Sequence, residues 1–246
     1  SRYLLALDQG TSSSRSILFD TRGRVIAQSQ REFRQIFPQP GWVEHDPNEI
    51  GAATLSSLDQ VLKAPAIDEH GAPTAVGITD QRETIVLWDR ETLGSARMAI
   101  VWQDRRTAGF CDQLKADGHE ARVAELTGLR LDPYFSATKL SWIAKQEPHV
   151  WAGVKEGRTA IGTIDSYLIA RMTRGVTHVT DASNASRTLL FDIHSGEWSQ
   201  ELCDLFGVPI DALPEVVPSY GQVGMTDPSV FGGLEIPIAG IAGDQQ

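Results

Sequence analysis

The sequence has few cysteines, no long apolar run and no excess of positive charge, and each absence excludes a class of protein. Its 246 residues contain two cysteines, Cys111 and Cys203, whose wide separation indicates buried thiols rather than a disulfide framework. No apolar stretch approaches the roughly 18 residues that span a bilayer, and no secretory signal is visible. The formal net charge of -10 argues against nucleic acid as a partner. We therefore expect a cytoplasmic protein without membrane insertion.

Several common catalytic motifs are also missing. No two glycines stand two positions apart, so the dinucleotide fingerprint G-x-G-x-x-G cannot occur, and the P-loop lysine is absent. The six histidines show no ligand spacing, which argues against structural zinc, and there is no G-x-S-x-G elbow of a serine hydrolase. A nucleotide, if bound, must be held by hairpins.

The chain does contain two apolar runs that each end in an aspartate. Such residues would lie at the carboxyl ends of strands, where ligands collect in open α/β sheets. After Asp8, Gly10 allows a tight turn and Thr11–Ser14 offer backbone and hydroxyl donors to an anion. Arg15 adds a fork suited to phosphate, and Asp8 could hold a hydrated Mg²⁺. The alternative is a Gly-Ser turn with an exposed arginine.

The second aspartate, Asp244, follows the apolar run that closes the sequence. It is a candidate general base toward an alcohol, and Gln245 could add a hydrogen bond to a polyol. The alternative is a cap for a further helix. Between two predicted strands, Arg82 could donate to, and Glu83 accept from, neighbouring hydroxyls of one ligand, or the segment 80–84 is a solvated turn.

Two aromatic residues also follow predicted strands or turns. Trp102 could offer its face to ligand C–H groups, or it packs in the core. Tyr134, in a turn that leads into a helix, is either a packing residue or a hydroxyl donor.

The hydrophobic pattern predicts one compact domain of alternating strands and helices, without internal repeats. Asp46 is predicted to cap a helix that begins at Pro47, with Glu49 completing a capping box, and Asp104 to cap a helix from residue 105. The other predicted helices span 120–126, 138–146, 164–172 and 200–206. The predicted strands are 3–7, 17–19, 25–27, 75–79, 85–88, 99–102, 160–162, 189–193 and 236–242, the first three forming an antiparallel meander.

Taken together, these segments closely resemble the FGGY carbohydrate kinases of the actin-like ATPase superfamily, and among them the members that act on glycerol. The resemblance covers residues 3–246 and is specific because many long motifs occur in order. These motifs are Leu7–Thr11, Pro40–Pro47, Gln81–Thr84, Ile100–Gln103, Asp132–Ser136, Thr180–Asp181, Asn184–Thr188 and Gly240–Gln246.

The resemblance implies an α/β fold in which a ribonuclease-H-like mixed sheet is flanked by helices and carries helical insertions. Residues 1–246 would be the N-terminal, glycerol-binding domain, and the C-terminal ATP-binding domain would lie outside this chain. By resemblance, glycerol is bound by Arg82, Glu83, Trp102, Tyr134, Asp244 and Gln245, with Asp244 as the catalytic base. ATP is met by Thr11, Ser12, Ser13 and Arg15, and Asp8 helps to hold Mg²⁺.

The implied activity is ATP-dependent phosphorylation of glycerol to sn-glycerol 3-phosphate in glycerol catabolism, by a full-length protein that forms a homo-oligomer. This chain alone is expected to be inactive, because the missing domain carries the adenosine pocket. One alternative is a kinase for another polyol or a ketose, although xylulokinase-like members carry a Gly-Gln-Met-His-like run at 80–83. The other is a non-kinase ATPase module, which gives no reason for Arg82, Glu83, Trp102 and Tyr134 to recur together.

The sequence departs from the family pattern at three places. Asp80 stands where the family usually has asparagine, just outside the ligand-facing pair, and Ser12 replaces a common threonine but keeps the hydroxyl. The segment 225–235 contains no lysine and diverges from the loop that binds fructose 1,6-bisphosphate in some bacterial members. That regulation is therefore not expected here.

Overall fold

A computed structural model describes residues 2–246, which form two larger β-sheets, two short two-stranded sheets and surrounding helices. The strands are β1 (Leu4–Gln9), β2 (Ser13–Phe19), β3 (Val25–Glu32), β4 (Glu44–His45), β5 (Ala75–Asp80), β6 (Ile85–Asp89), β7 (Ala99–Ile100), β8 (Thr159–Thr163), β9 (Val179–Asp181), β10 (Phe191–Asp192), β11 (Glu197–Trp198), β12 (Glu215–Val217), β13 (Tyr220–Met225) and β14 (Pro237–Gly243). The helices are α1 (Pro47–Leu62), α2 (Pro65–His70), α3 (Ala108–Ala116), α4 (Glu120–Thr127), α5 (Ser136–Gln146), α6 (Pro148–Lys155), α7 (Ile164–Met172), α8 (Ala182–Ala185) and α9 (Gln200–Phe206), with a 3₁₀ turn at Ile210–Ala212.

The main sheet has the strand order β13-β14-β5-β1-β2-β3. Strands β1, β2 and β3 form the predicted antiparallel meander, whereas β5 and β14 run parallel to β1. Because parallel strands end at the same edge of a sheet, Asp8, Asp80 and Gly243 come together there. The mixed sheet flanked by helices confirms the expected fold class.

The second sheet is antiparallel, in the order β4-β7-β6-β8. This sheet lies next to the edge of the main sheet where Asp8, Asp80 and Gly243 meet, because the turn after β5 leads directly into β6. The buried apolar side chains form two cores. The main sheet and one face of the second sheet, with Val86 and Trp88, share the first core, and the opposite face of the second sheet, with Ile85 and Leu87, belongs to the other. One core includes Leu5, Ile78 and Tyr167 of β1, β5 and α7, and the other packs α3–α6 and α9 against the second sheet.

The structure differs from several local predictions. Asp46 caps α1 by accepting from the Asn48 N–H, but Glu49 does not complete a capping box, because it forms an ion pair with Arg34 instead. Asp104 does not cap α3, which begins at Ala108, three residues after the predicted start, because the Asp104 carboxylate is paired with Arg106.

Some elements were too short or too polar to predict. The predicted strand at 189–193 is reduced to β10, since Leu189 has a positive φ of 66° and ends regular pairing there. Helix α2 has no buried residue and β13 is a largely exposed edge strand, so neither carries a clear hydrophobic period. Within residues 2–246, no helix combines the length and apolar character needed to cross a membrane.

Candidate active site

A cavity of about 230 Å³ opens where the two sheets meet, at the carboxyl ends of β5 and β14. The side chains that line it are those of Arg82, Glu83, Trp102, Tyr134, Asp244 and Gln245. They come from four separate segments of the chain. The structure therefore places in one cavity all six residues that the sequence assigned to polyol binding.

The Arg82 side chain packs directly against the backbone of Gly243. A Cβ atom at Gly243 would lie 2.5 Å from Arg82 Cδ, so only glycine leaves room for this side chain. The guanidinium Nε lies 3.7 Å from Asp244 Oδ1 and 3.5 Å from Glu83 Oε1, and the arginine side chain is only 10% exposed. Arg82 thus holds two carboxylates on one wall of the cavity.

Glu83 is buried and has the left-handed backbone conformation, with φ of 69°. That conformation is uncommon for a residue other than glycine and is found preferentially at functional sites. Ser136 stabilises it by donating its hydroxyl to the Glu83 carbonyl at 2.9 Å. Burial raises the pKa of Glu83 to about 7, against the opposing effect of nearby cations. Its Oε2 atom has no hydrogen-bond partner and is free to accept one from a ligand.

Asp244 follows β14 and is held from its backbone. Its N–H donates to the Asp80 carbonyl at 2.9 Å, and the preceding Gly243 N–H donates to the Ser183 hydroxyl, also at 2.9 Å. Burial is the main cause that raises the pKa of Asp244, the charge of Asp8 adds to it, and Arg82 opposes both. A carboxylate of this kind, 36% exposed and beside a cation, can accept a proton from a bound hydroxyl.

Two aromatic rings form the apolar side of the cavity. The Trp102 and Tyr134 ring centroids are 5.4 Å apart, and the planes are tilted by 52°. The Trp102 indole N–H donates to the Thr11 hydroxyl at 3.1 Å. The cavity is therefore linked directly to the hairpin that follows β1.

This hairpin between β1 and β2 carries the residues assigned to phosphate. Gly10 closes it by donating its N–H to the Ser13 carbonyl at 2.9 Å. Ser12 is exposed and Thr11 half-buried, whereas the Ser13 hydroxyl accepts from Gln30 at 2.7 Å. Arg15 is paired with Asp8 at 2.7 Å, so these two candidate groups neutralise each other in this structure.

Oxygen donors for a divalent cation are few at this edge. Among residues 2–246, no group of three or more His, Cys, Asp or Glu side chains could hold a metal ion. The available carboxylates are Asp8 and Asp244, whose charges interact. This donor set fits Mg²⁺, which takes one or two carboxylates together with phosphate oxygens and waters.

Two positively charged side chains near the cavity, Lys139 and Arg187, were given no role in the sequence-based prediction. Lys139 on α5 is fully buried and donates to the carbonyls of Pro133, Tyr134 and Phe135 at 2.6, 2.9 and 3.0 Å. Burial lowers the pKa of this lysine to about 7. Arg187 Nε lies 3.6 Å from Glu83 Oε1. The segment Asn184–Thr188 was recognised as a motif, but nothing in the sequence alone connects it with Glu83.

A buried acidic cluster supports the ends of β5 and β14. Asp80, Asp165 and Asp181 are all inaccessible to solvent. Asp165 accepts from the Thr163 and Thr180 hydroxyls at 2.5 and 2.6 Å. Burial, and then the charge of Asp165, raises the pKa of Asp80 well above its usual range.

Comparison with known families gives a match over nearly the whole chain. Residues 3–246 match the family model described as the FGGY family of carbohydrate kinases, N-terminal domain. Curated relatives named glycerol kinase include proteins from Paracidovorax citrulli and Koribacter versatilis, which are 54% and 55% identical over 99% of this chain. These matches cover 48% and 49% of the relatives, so the chain spans about half the length of the curated relatives it matches.

Solved structures give the same fold. A crystal structure of Plasmodium falciparum glycerol kinase with ADP superposes with a TM-score of 0.94 at 31% identity, covering 99% of this chain and 49% of that one. The xylulose kinase of Rhodospirillum rubrum superposes with a TM-score of 0.90 at 24% identity, again over 99% of this chain and 49% of that one, and shows the fold alone.

Proposed function

Because the chain belongs to the FGGY family of carbohydrate kinases, as an N-terminal domain, we propose that the full-length protein transfers the γ-phosphoryl group of ATP to glycerol. The product would be sn-glycerol 3-phosphate. Residues 1–246 would supply the glycerol site, the general base and part of the phosphate site, and a C-terminal domain would supply the adenosine pocket. The names of the relatives and of the ADP-bound structure support this assignment.

The observation that carries the proposal is the composition of the 230 Å³ cavity. Glycerol has about six heavy atoms, so at most ~9 kcal/mol of binding free energy is available at ~1.5 kcal/mol per atom. Little of that can come from apolar burial, so hydrogen bonds to charged groups, worth roughly 1.5–3 kcal/mol each, must supply most of it. Arg82 as donor and Glu83 as acceptor meet this requirement, and Trp102 and Tyr134 can cover the carbon chain.

In the proposed mechanism Asp244 accepts the proton of the terminal hydroxyl of glycerol. The hydroxyl oxygen attacks the γ-phosphorus of ATP, the bond between the γ-phosphorus and the β,γ-bridging oxygen breaks, and ADP leaves. Arg82 favours the ionised form of the Asp244 carboxylate and holds it in place. The hydrogen bond from Trp102 to Thr11 fixes the position of the phosphate hairpin relative to the glycerol cavity. Donors of Thr11, Ser12 and Ser13 and the guanidinium of Arg15 would bind phosphate oxygens. This transfer needs chiefly alignment and charge neutralisation.

Asp8 would hold Mg²⁺ when nucleotide is bound. The ion would neutralise charge on the β- and γ-phosphates. Arg15 would then exchange its pairing with Asp8 for a pairing with phosphate.

A turnover assay on the full-length protein tests this proposal. ADP release is measured with glycerol, xylulose and gluconate as acceptors, and we expect a clear preference for glycerol. Turnover of xylulose or gluconate without glycerol would indicate a different sugar kinase. ATP hydrolysis that does not respond to glycerol would indicate a non-kinase ATPase.

A further inference from the structure

Arg187 does not line the glycerol cavity, but it contacts two residues that do, Glu83 and Tyr134. We propose that Arg187 is a positioning residue which, with Arg82, favours the ionised form of the Glu83 carboxylate and orients it toward the polyol while it fixes the ring of Tyr134. This inference rests on the proposed function, because the orientation of Glu83 matters for catalysis only if a polyol binds there.

The backbone around Arg187 is fixed by short-range hydrogen bonds. Asp181 caps α8 through the N–H of Asn184, and the Arg187 N–H donates to the Asn184 carbonyl at 3.1 Å. The Thr188 carbonyl accepts from Ala137 on α5 at 2.9 Å. The guanidinium is therefore presented from a segment anchored to two elements.

Two guanidinium groups share one buried carboxylate. Glu83 Oε1 lies 3.5 Å from Arg82 Nε and 3.6 Å from Arg187 Nε, beyond the 2.7–3.2 Å typical of an N–H···O hydrogen bond. Both Nε atoms and Glu83 Oε2 are buried and have no hydrogen-bond partner. Unpaired buried polar groups are costly, so this cluster retains capacity to bind a hydroxyl-bearing ligand.

The same guanidinium packs on the aromatic wall. Its Cζ atom lies 5.4 Å from the Tyr134 ring centroid and 4.9 Å from that of Phe135. Contacts at these distances are cation–π interactions, which favour a planar guanidinium over a point charge. Because Tyr134 in turn contacts Trp102, Arg187 supports both the polar and the apolar side of the cavity.

Four charged groups act on Glu83 in addition to its burial. Burial raises the pKa of Glu83, the charges of Arg187, Arg82 and Lys139 lower it in that order, and Asp244 raises it. Arg187 therefore makes the largest opposing contribution, and the balance leaves the pKa at about 7. Without Arg187, a larger fraction of the Glu83 carboxyl would hold a proton at neutral pH and would be a weaker acceptor for ligand hydroxyls.

The test is the pH dependence of kcat/KM for glycerol in the full-length protein with Arg187→Gln. We expect kcat/KM at pH 7 to fall about tenfold or more, mostly through KM, since hydrogen bonds to a charged group are worth roughly 1.5–3 kcal/mol. The acidic limb of the profile should move to higher pH, because Glu83 must be ionised to bind. Arg187→Lys should restore the position of that limb while leaving KM raised, because an ammonium keeps the charge but not the planar contact with Tyr134 and Phe135.

Controls separate this inference from the proposed function. Arg158→Gln removes an exposed arginine that pairs with Glu156 and should leave the profile unchanged. If the wild-type protein does not phosphorylate glycerol, the proposed function is wrong. The Arg187 inference is then decided without substrate, by following the ¹³C chemical shift of the labelled Glu83 carboxyl against pH in wild type and variants. An unshifted Glu83 titration in Arg187→Gln would overturn the inference, and so would an unchanged KM together with an unchanged acidic limb in an active enzyme.

Discussion

Replacing Asp80 with asparagine should make the protein less sensitive to alkaline pH without harming its fold. The Asp80 side chain faces the Asn184 amide, and its Oδ1 atom and Asn184 Oδ1 are both buried without a donor. A proton on Asp80 can satisfy both oxygens, and the amide introduced by Asp80→Asn could donate in the same place. The shape is conserved, and we expect equal stability at pH 6 within about 1 kcal/mol.

The magnitude of the pH effect follows from linkage. The folded-state pKa of Asp80 is raised, so its stabilising contribution is complete below the unfolded value near 4 and is lost as pH rises through the folded value. Each pH unit over which the folded state holds one extra proton costs about 1.4 kcal/mol of stability. Asp165, whose pKa burial raises to about 6, contributes mainly below that window.

The assay is the free energy of unfolding by urea at pH 6, 7 and 8, for wild type, Asp80→Asn and a control, Asp112→Asn, on the exposed face of α3. Wild type and the control should lose stability with rising pH, and Asp80→Asn should lose less. Parallel profiles for wild type and Asp80→Asn would refute the reasoning, because Asp80 would then be ionised in the folded protein.

Two further predictions concern the surroundings of the cavity. Lys139→Met should leave three buried carbonyls without their donor, and should therefore lower the free energy of unfolding by about 1–3 kcal/mol and raise KM for glycerol. The control Lys145→Met, on the exposed face of the same helix, should change neither the stability nor KM. Urea unfolding and steady-state kinetics measure both effects, and a stable variant with normal KM would contradict the role given to Lys139. Trp102→Phe removes the bond to the Thr11 hydroxyl and should raise KM for both glycerol and ATP by up to about tenfold. An effect on glycerol alone would show that the indole does not couple the two sites.

Much of the fold could be predicted because its strands and helices are strongly periodic. The meander β1–β3, the Asp46 cap and helix α7 were recognised from local patterns, whereas the parallel pairing of β5 with β1 and β14 was not predicted. Elements decided by tertiary contacts were missed. Glu49 and Asp104 have the local chemistry of helix caps, but Arg34 and the N–H of the distant Val43 compete for their carboxylates.

The site shows the same division. The six cavity residues lie in recognisable motifs and line one cavity in the structure, whereas their roles in binding and catalysis stay predictions. Lys139 and Arg187 lack such a signal. The sequence does not distinguish a buried lysine in a helix, such as Lys139, from an exposed one. The contact of Arg187 with Glu83 joins segments that are far apart in the chain. The raised pKa of Asp80 depends on burial and on the charge of Asp165, which no local pattern reveals.

The central claim, that Asp244 is the base toward a glycerol held by Arg82 and Glu83, is tested most directly by Asp244→Asn in the full-length protein. Single-turnover phosphoryl transfer and glycerol binding by calorimetry are measured on the same preparation. We predict that the transfer rate falls about a hundred- to ten-thousandfold while glycerol still binds, because the amide keeps the shape of the cavity but cannot accept the proton. A transfer rate equal to that of the wild type would contradict the account.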